Sequence, residues 1–298
     1  MQIFNELVSI KKTCLGLGFF DGVHKGHRVL IDELVSVAQK TGSKSCVITF
    51  KTSPAEMFID KVEYLNTAEE KDSLIEKLGV DYLIRLDFDK NLANLSADEY
   101  LKNIIYKNFE PEYIFSGFNH TFGKERKGNN DFLRENQTKY GYIYNEIKPV
   151  SYKGDIVSSS LIRKMLHGGE IKTANAILGY EYNIEGVVVK GNQLGRKLGF
   201  PTANIEYPAK KVQIPFGVYS VQVEVDNILY KGMLNYGIKP TVNDKKNNPV
   251  AEVHIIGFNR DIYGDKIKIF INDRIREEKR FSNIEELKAQ ISEDVSKC

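Results

Sequence analysis

Residues 191–204 read GNQLGRKLGFPTAN. Gly191, Gly195 and Gly199 flank the cations Arg196 and Lys197, and the stretch closes on Thr202 and Asn204. Glycine lets backbone N–H groups approach a ligand closely, and the two cations can meet phosphate oxygens. Thr202 and Asn204 offer hard oxygen ligands of the kind magnesium takes alongside phosphates. The G-x-x-x-x-G-K-S/T spacing of a P-loop is absent. The residues alone admit a nucleotide-phosphate loop or a glycine-rich surface turn. A second cluster, GFFDGVHKGH at residues 18–27, sets His24 and His27 three apart among glycines where a helical pattern begins. Helix N-termini bind anions, and two imidazoles there can donate to phosphate oxygens. Nucleotidyl transfer needs that help, because charge grows on the α-phosphate and the leaving pyrophosphate. The alternatives are a zinc half-site or surface histidines, and the other histidines of this half are His120 and His167.

Two further stretches carry candidate chemistry. In the strand-like run 249–258, Glu252 shares a face with His254. A carboxylate there is either a solvated barrel position or a general base. Residues 157–163, VSSSLIR, read on their own as a serine-rich helix cap.

The elements that must hold these residues fall into two patterns. Residues 13–20 form a short apolar run, and Val29, Leu30, Leu34, Val37 and Ala38 then mark one helical face that ends at Gly42. Residues 45–50 return as a buried-strand candidate, which makes a βαβ unit and predicts a parallel sheet. Helices at 71–78 and 97–106 alternate with strands at 82–86 and 113–116. This is a doubly wound α/β domain, in which ligands bind at the carboxyl ends of strands. A short helix at 170–178 and Gly179 precede a change of pattern, so the division is expected at 1–181 and 182–298. Beyond it Val221, Val223 and Val225 alternate with polar residues, and Asp226-Asn227 marks a turn into 229–234. Residues 250–256 and 266–271 also alternate. Strands at such spacing without intervening helices predict a small antiparallel barrel. A terminal helix is expected from a Ser282/Glu285 capping box and an Ile284, Leu287, Ile291, Val295 stripe.

The 298 residues suffice for two domains. A net charge of +2 gives no electrostatic case for nucleic acid or an anionic membrane. No apolar run reaches bilayer-spanning length, and MQIFNELVSIKKT lacks the makeup of a signal peptide. Cys14, Cys46 and Cys298 are scattered and form neither a disulfide framework nor a zinc spacing. A reducing cytoplasm is the expected setting.

The stretch 191–204 resembles the signature of the riboflavin kinase family. GMLNYGIKPT (232–241), AEVHI with Glu252, DIYG (261–264) and IREEKRF (275–281) resemble that family's later motifs in the same order. The N-terminal half resembles the adenylyltransferase half of the bacterial bifunctional riboflavin kinase/FAD synthetases. There GFFDGVHKGH is similar to the HxGH signature, SGFNHTFG (116–123) to a flavin- and adenine-side loop matched at Asn119, and VSSSLIR to the ISSTxIR motif. The resemblance implies a Rossmann-like nucleotidyltransferase domain followed by a six-stranded flavokinase-like antiparallel β-barrel and a terminal helix.

It further implies His24 and His27 as catalytic residues. It implies nucleotide contacts from Gly18, Phe19, Asp21, Gly26, Asn119, Ser159, Ser160 and Arg163 in the first domain, and from Gly191, Gly195, Arg196 and Lys197 in the second. Glu252 matches the kinase base, Arg276 a flavin contact, and Thr202 and Asn204 the Mg²⁺ that accompanies ATP. Riboflavin, FMN, FAD and ATP are the implied ligands. The pattern departs from the family at Lys51 and Ser53, where it has Asp and His, at His120, where an aromatic is frequent, and at Gly257, often Asp. A kinase alone, or a flavin-binding regulator with a non-catalytic first domain, are the alternatives.

Overall fold

The structure is a computed structural model and describes residues 1–191, 194–238 and 249–298. The chain divides into two compact units, Met1–Ser159 and Ser160–Cys298. The GMLNYGIKPT stretch is described only as far as Ile238; Lys239, Pro240 and Thr241 lie outside the described residues.

In the first unit six strands form one sheet. They are β1 (Gln2–Phe4), β2 (Thr13–Leu17), β3 (Lys44–Phe50), β4 (Tyr82–Leu86), β5 (Pro111–Gly117) and β6 (Ile143–Ile147). Their order is β1-β4-β3-β2-β5-β6 and every pairing is parallel. The chain runs one way from β2 through β3 to β4, and the other way through β5 to β6. The switch point therefore lies between β2 and β5, where open α/β sheets bind ligands. β2 is buried at every position, as a strand covered on both faces must be.

Helix α1 (Lys25–Thr41) buries Leu30, Ile31, Leu34, Val35 and Ala38 against one sheet face. Val29, expected on that face, is 44% exposed; the buried stripe turns through Ile31 and Val35 instead. Gly42, at φ 72°, caps the helix as expected. Helix α2 (Ala68–Glu76) starts earlier than its periodicity suggests, because Thr67 and Glu70 form a capping box. The segment from Ala97 begins as one helical turn and runs on as a π-helical stretch through Tyr106. Helix α3 (Asn130–Tyr140) precedes β6.

The second unit opens with helices α4 (Ser159–His167), whose first residue closes the first unit, and α5 (Ile171–Leu178). Asn175 ties α5 to the strands: its amide donates to the Ile271 carbonyl at 2.9 Å and accepts from the Tyr182 N–H at 2.8 Å.

Six strands then close a barrel: β7 (Asn183–Val189), β8 (Ala203–Glu206), β9 (Gly217–Val225), β10 (Ile228–Ile238), β11 (Pro249–Ile255) and β12 (Lys266–Arg276). The order is β7-β8-β11-β10-β9-β12 and every pairing is antiparallel. Val221, Val223, Val225, Ala251, Val253, Ile255, Ile267, Ile269 and Ile271 are buried at alternate positions, so they fill the interior. The β9–β10 turn uses Asp226 and Asn227 at φ 50° and 63°, the two-residue geometry that matches strand twist.

A short helix α6 (Leu194–Leu198) lies in the chain between β7 and β8. Terminal helix α7 (Ile284–Ser296) is capped by Asn283, whose side chain accepts from the Glu286 N–H at 2.9 Å. The expected Ser282/Glu285 box is thus one residue out of register, since Asn283 caps as well as serine does. Ile284 is 60% exposed, and the buried residue of α7 is Asp294.

Candidate active sites

In the first unit the loop after β2 turns sharply. Phe20 and Val23 take φ 59° and 33°, backbone that side chains rarely adopt, and for β-branched Val23 a strained one. Gly18 has no room for a side chain, because a Cβ would lie 2.9 Å from the Phe20 ring. His24 then caps α1: its Nδ1 accepts from the His27 N–H at 3.4 Å. A Cβ on Gly26 would come within 3.3 Å of the His24 ring, so glycine lets that ring lie over the helix start. The two imidazoles stack with centroids 3.6 Å apart.

Burial pushes His24 down to about 4. Burial, then the neighbouring His24 and Lys71, hold His27 well below the ordinary range. Both rings are therefore neutral at pH 7. With Nδ1 accepting, His24 carries its proton on Nε2, a neutral donor suited to a phosphate oxygen. α1 has no acidic residue in its first turn to compete for an anion.

The loop is held from several sides. Asp21 accepts from the Leu65 N–H at 2.9 Å, and the Ser159 hydroxyl donates to the Asp21 carbonyl at 2.8 Å. The Phe19 carbonyl accepts from Thr49 Oγ1 at 2.9 Å and from Lys71 Nζ at 3.3 Å. Ser160 is exposed and Arg163 half-buried on α4. Asn119 is exposed in the turn after β5.

The sequence reading missed Asn130, which is buried and donates to the carbonyls of Gly117 and Phe118 at 3.1 and 3.0 Å. It missed Lys71 as well. Neither has a signature: an asparagine starting a helix, and a lysine between two acids, read as surface residues. Of the departures, Lys51 pairs with Asp87 at 2.6 Å, and Ser53 caps a short turn by accepting from the Ala55 N–H at 3.2 Å. A cavity of about 690 Å³ opens beside Gly18 at the strand ends, lined by Phe50, Pro54, Phe58, Phe88, His120 and Phe122 among others. Its aromatic walls suit a planar ring system.

In the barrel, Glu252 on β11 pairs in register with Asn204 on β8 and Asn235 on β10. Cross-strand partners share a face, so all three point away from the interior that Ala251 and Val253 fill. Asn204 is nonetheless buried, at 5% exposure. The backbone of Gly191 covers it: a Cβ on Gly191 would lie 2.4 Å from the Asn204 amide. A Cβ on Gly195 would lie 2.4 Å from the Phe200 carbonyl oxygen and 3.4 Å from Thr202 Oγ1. The glycines are thus what lets the loop fold onto Thr202 and Asn204. Gly199, at φ 88°, turns the chain back toward them.

Arg196 and Thr202 line a cavity of about 330 Å³ with Asp261, Ile262 and Tyr263. Lys197 is exposed. His254 Nδ1 lies 2.8 Å from the Pro201 carbonyl oxygen, which binds the loop to β11. Arg276 reaches buried Asp294 on α7 with Nε and Nη2, at 2.8 and 2.7 Å. Gly257 takes φ 71°, a conformation that favours glycine there. Among the described residues no group of three or more His, Cys, Asp and Glu could hold a metal ion. Nor, among them, is any helix long and apolar enough to cross a membrane.

These two units define a Rossmann-like nucleotidyltransferase joined to a flavokinase-type barrel. Residues 8–161 match the FAD synthetase family and residues 178–298 the riboflavin kinase family. The bifunctional riboflavin kinase/FMN adenylyltransferase of Buchnera aphidicola is 34% identical over 303 residues, covering 99% of this chain and 97% of the relative. That of Bacillus subtilis is 34% identical over 288 residues, covering 95% and 90%. A crystal structure of a macrolide-efflux protein from Streptococcus pneumoniae superposes with a TM-score of 0.87 at 29% identity, covering 98% of this chain and 94% of that one. The chain belongs to the bifunctional riboflavin kinase/FMN adenylyltransferase family.

Proposed function

We propose that the chain makes FAD from riboflavin in two ATP-dependent steps, one in each unit. The observation that supports this is the presence of two separate glycine-rich loops with candidate phosphate-binding residues, at residues 18–27 and 191–204, each inside its own compact unit. The two domain matches favour this reading over a kinase alone or a flavin-binding regulator.

In the barrel, Glu252 takes the proton of the primary hydroxyl of riboflavin as its oxygen attacks the γ-phosphorus of ATP, and ADP leaves. Arg196, Lys197 and the backbone at Gly191 and Gly195 hold the phosphates. Thr202 and Asn204 would hold Mg²⁺, and the glycine-cradled pair of hard oxygens fits that ion. When bound, the ion neutralises phosphate charge. Arg276, its guanidinium oriented by Asp294, stands on the flavin side.

In the first unit, a phosphate oxygen of FMN attacks the α-phosphorus of ATP. The bond to the bridging oxygen breaks and pyrophosphate leaves. His24 and His27 donate to the oxygens on which charge grows, and neutral imidazoles do so without a proton change. Gly18, Phe19, Asp21 and Gly26 shape the loop, while Asn119 and Ser159 are the further nucleotide contacts of this unit. The flavin ring occupies the aromatic cavity. The boundary between the catalytic domains is taken at 181/182. A cytoplasmic setting suits three cysteines that are all free thiols.

Incubating the protein with riboflavin, ATP and Mg²⁺ and separating the flavins chromatographically tests this. FMN followed by FAD is expected. FMN alone would leave a kinase, and neither product would leave a binding protein.

A further inference from the structure

We propose that Lys71 is a positioning residue of the adenylyl-transfer site: its ammonium pins the turn that carries His24 and His27 and sets a positive charge beside it. The proposal rests on the reading of the first unit as an adenylyltransferase.

Lys71 sits on α2 between Glu70 and Asp72, where a solvated charge would be expected, yet it is only 5% exposed. Its Nζ donates to the Phe19 carbonyl at 3.3 Å, to Thr49 Oγ1 at 3.2 Å and to the Phe50 carbonyl at 3.3 Å. Three ammonium hydrogens thus meet three acceptors, one on the loop after β2 and two at the end of β3. Nζ also lies 4.4 Å from the centre of the Phe19 ring. Lys71 forms no ion pair among the described residues. A buried cation without a carboxylate partner is costly, and a purely structural tie could be built from neutral groups.

What Lys71 holds is the strained part of the site. The Phe19 carbonyl opens the turn in which Phe20 and Val23 take positive φ, and His24 follows directly. Strain of this kind persists only where the surroundings over-determine it. The charge reaches the imidazoles as well. The groups acting on His27 are His24 and Lys71, and both disfavour its protonated form. Those acting on Lys71 are Asp72 and Asp21, which favour its charge, and Arg85, which opposes it. Burial outweighs the two acids and brings Lys71 down to about 8. A cation in a water-poor site also stabilises charge growing on a phosphate.

The test uses full-length protein, with FAD formation from supplied FMN and ATP followed between about pH 4 and 9, and FMN formation from riboflavin on the same samples. Lys71→Met should lower kcat for adenylyl transfer by about 10²-fold and leave the kinase step intact. Its acid limb should move to higher pH, because His27 titrates closer to its ordinary value once the cation is gone. Lys71→Arg keeps a charge that does not titrate in this range. It should hold the acid limb at the wild-type position and lose the alkaline limb expected of the wild type as Lys71, lowered to about 8, gives up its proton. Should Lys71→Met fail to fold, Lys71→Arg still decides through that alkaline limb. Wild-type FAD formation with acid limbs that coincide in all variants, or an unmoved alkaline limb in Lys71→Arg, would overturn the role of Lys71 alone. Absence of FAD from the wild type would overturn the adenylyltransferase reading and this proposal with it.

Discussion

Replacing His120 with phenylalanine should flatten the acid sensitivity of the first unit. His120 follows β5, stacks on Phe122 with centroids 5.7 Å apart, and has a buried Nε2 with no hydrogen-bond partner. Burial pushes it from the ordinary 6.5 down to about 4. A histidine lowered in this way is neutral when folded and binds a proton more readily when unfolded. Its contribution is fully present above about pH 6.5 and is lost as pH falls toward 4. Integrating that difference, His120 costs the folded state about 2 kcal/mol between pH 7.5 and pH 5. Phenylalanine cannot titrate, so this share vanishes, while the ring stack and the aromatic cavity wall survive. The assay is denaturant unfolding of the full chain at both pH values, wild type against His120→Phe. The wild type should lose about 2 kcal/mol more than the variant on acidification. Equal losses would mean that His120 is already protonated, or hydrated, in the folded protein, and the burial argument would fail. His24, lowered to a similar value, retains its own acid sensitivity in both proteins.

Glu252→Gln should lower kinase turnover by about 10²-fold or more while FAD formation from supplied FMN continues; weakened riboflavin binding with turnover preserved at saturation would reassign Glu252 to a structural role. His27→Ala should cost about 10²–10³-fold in adenylyl transfer and spare the kinase, and an equal loss in both steps would refute the separation of the sites. Gly195→Ala places a Cβ 2.4 Å from the Phe200 carbonyl oxygen. The loop must shift, at a cost of about 1–3 kcal/mol, so kinase kcat/KM should drop tenfold or more in rapid-quench or coupled assays; an unchanged value would show that the loop adapts freely. Asp294→Asn leaves Arg276 without the carboxylate it reaches at 2.7 Å in a fully buried position. Barrel stability should fall by about 3–5 kcal/mol in chemical denaturation, and a loss under about 1 kcal/mol would mean that the pair is hydrated.

Much of the plan was local and therefore readable. Period-2 alternation at Val221, Val223 and Val225 with a following Asp-Asn turn specifies a hairpin, because side chains of a strand must alternate faces. The HxGH-like loop and the stretch ending at Asn204 stand contiguous in the chain, so their chemistry was visible as residue types. Capping was legible only to within a residue: Ser282 and Asn283 are equivalent acceptors by type, and the geometry of α7 chose Asn283. What the tertiary structure alone decided was burial and pairing between distant residues. Nothing in the order of residues sets Asn204 beside Glu252, and closure of the barrel does. Lys71 sits between acids in an apparently solvated turn of helix, yet the sheet ends and Phe19 draw its ammonium inside. Arg276 reads as a surface cation until α7 returns across it with Asp294. Local pattern fixes which elements form, because it acts through neighbouring backbone. The charge state and the aim of a side chain depend on what folds over it from elsewhere.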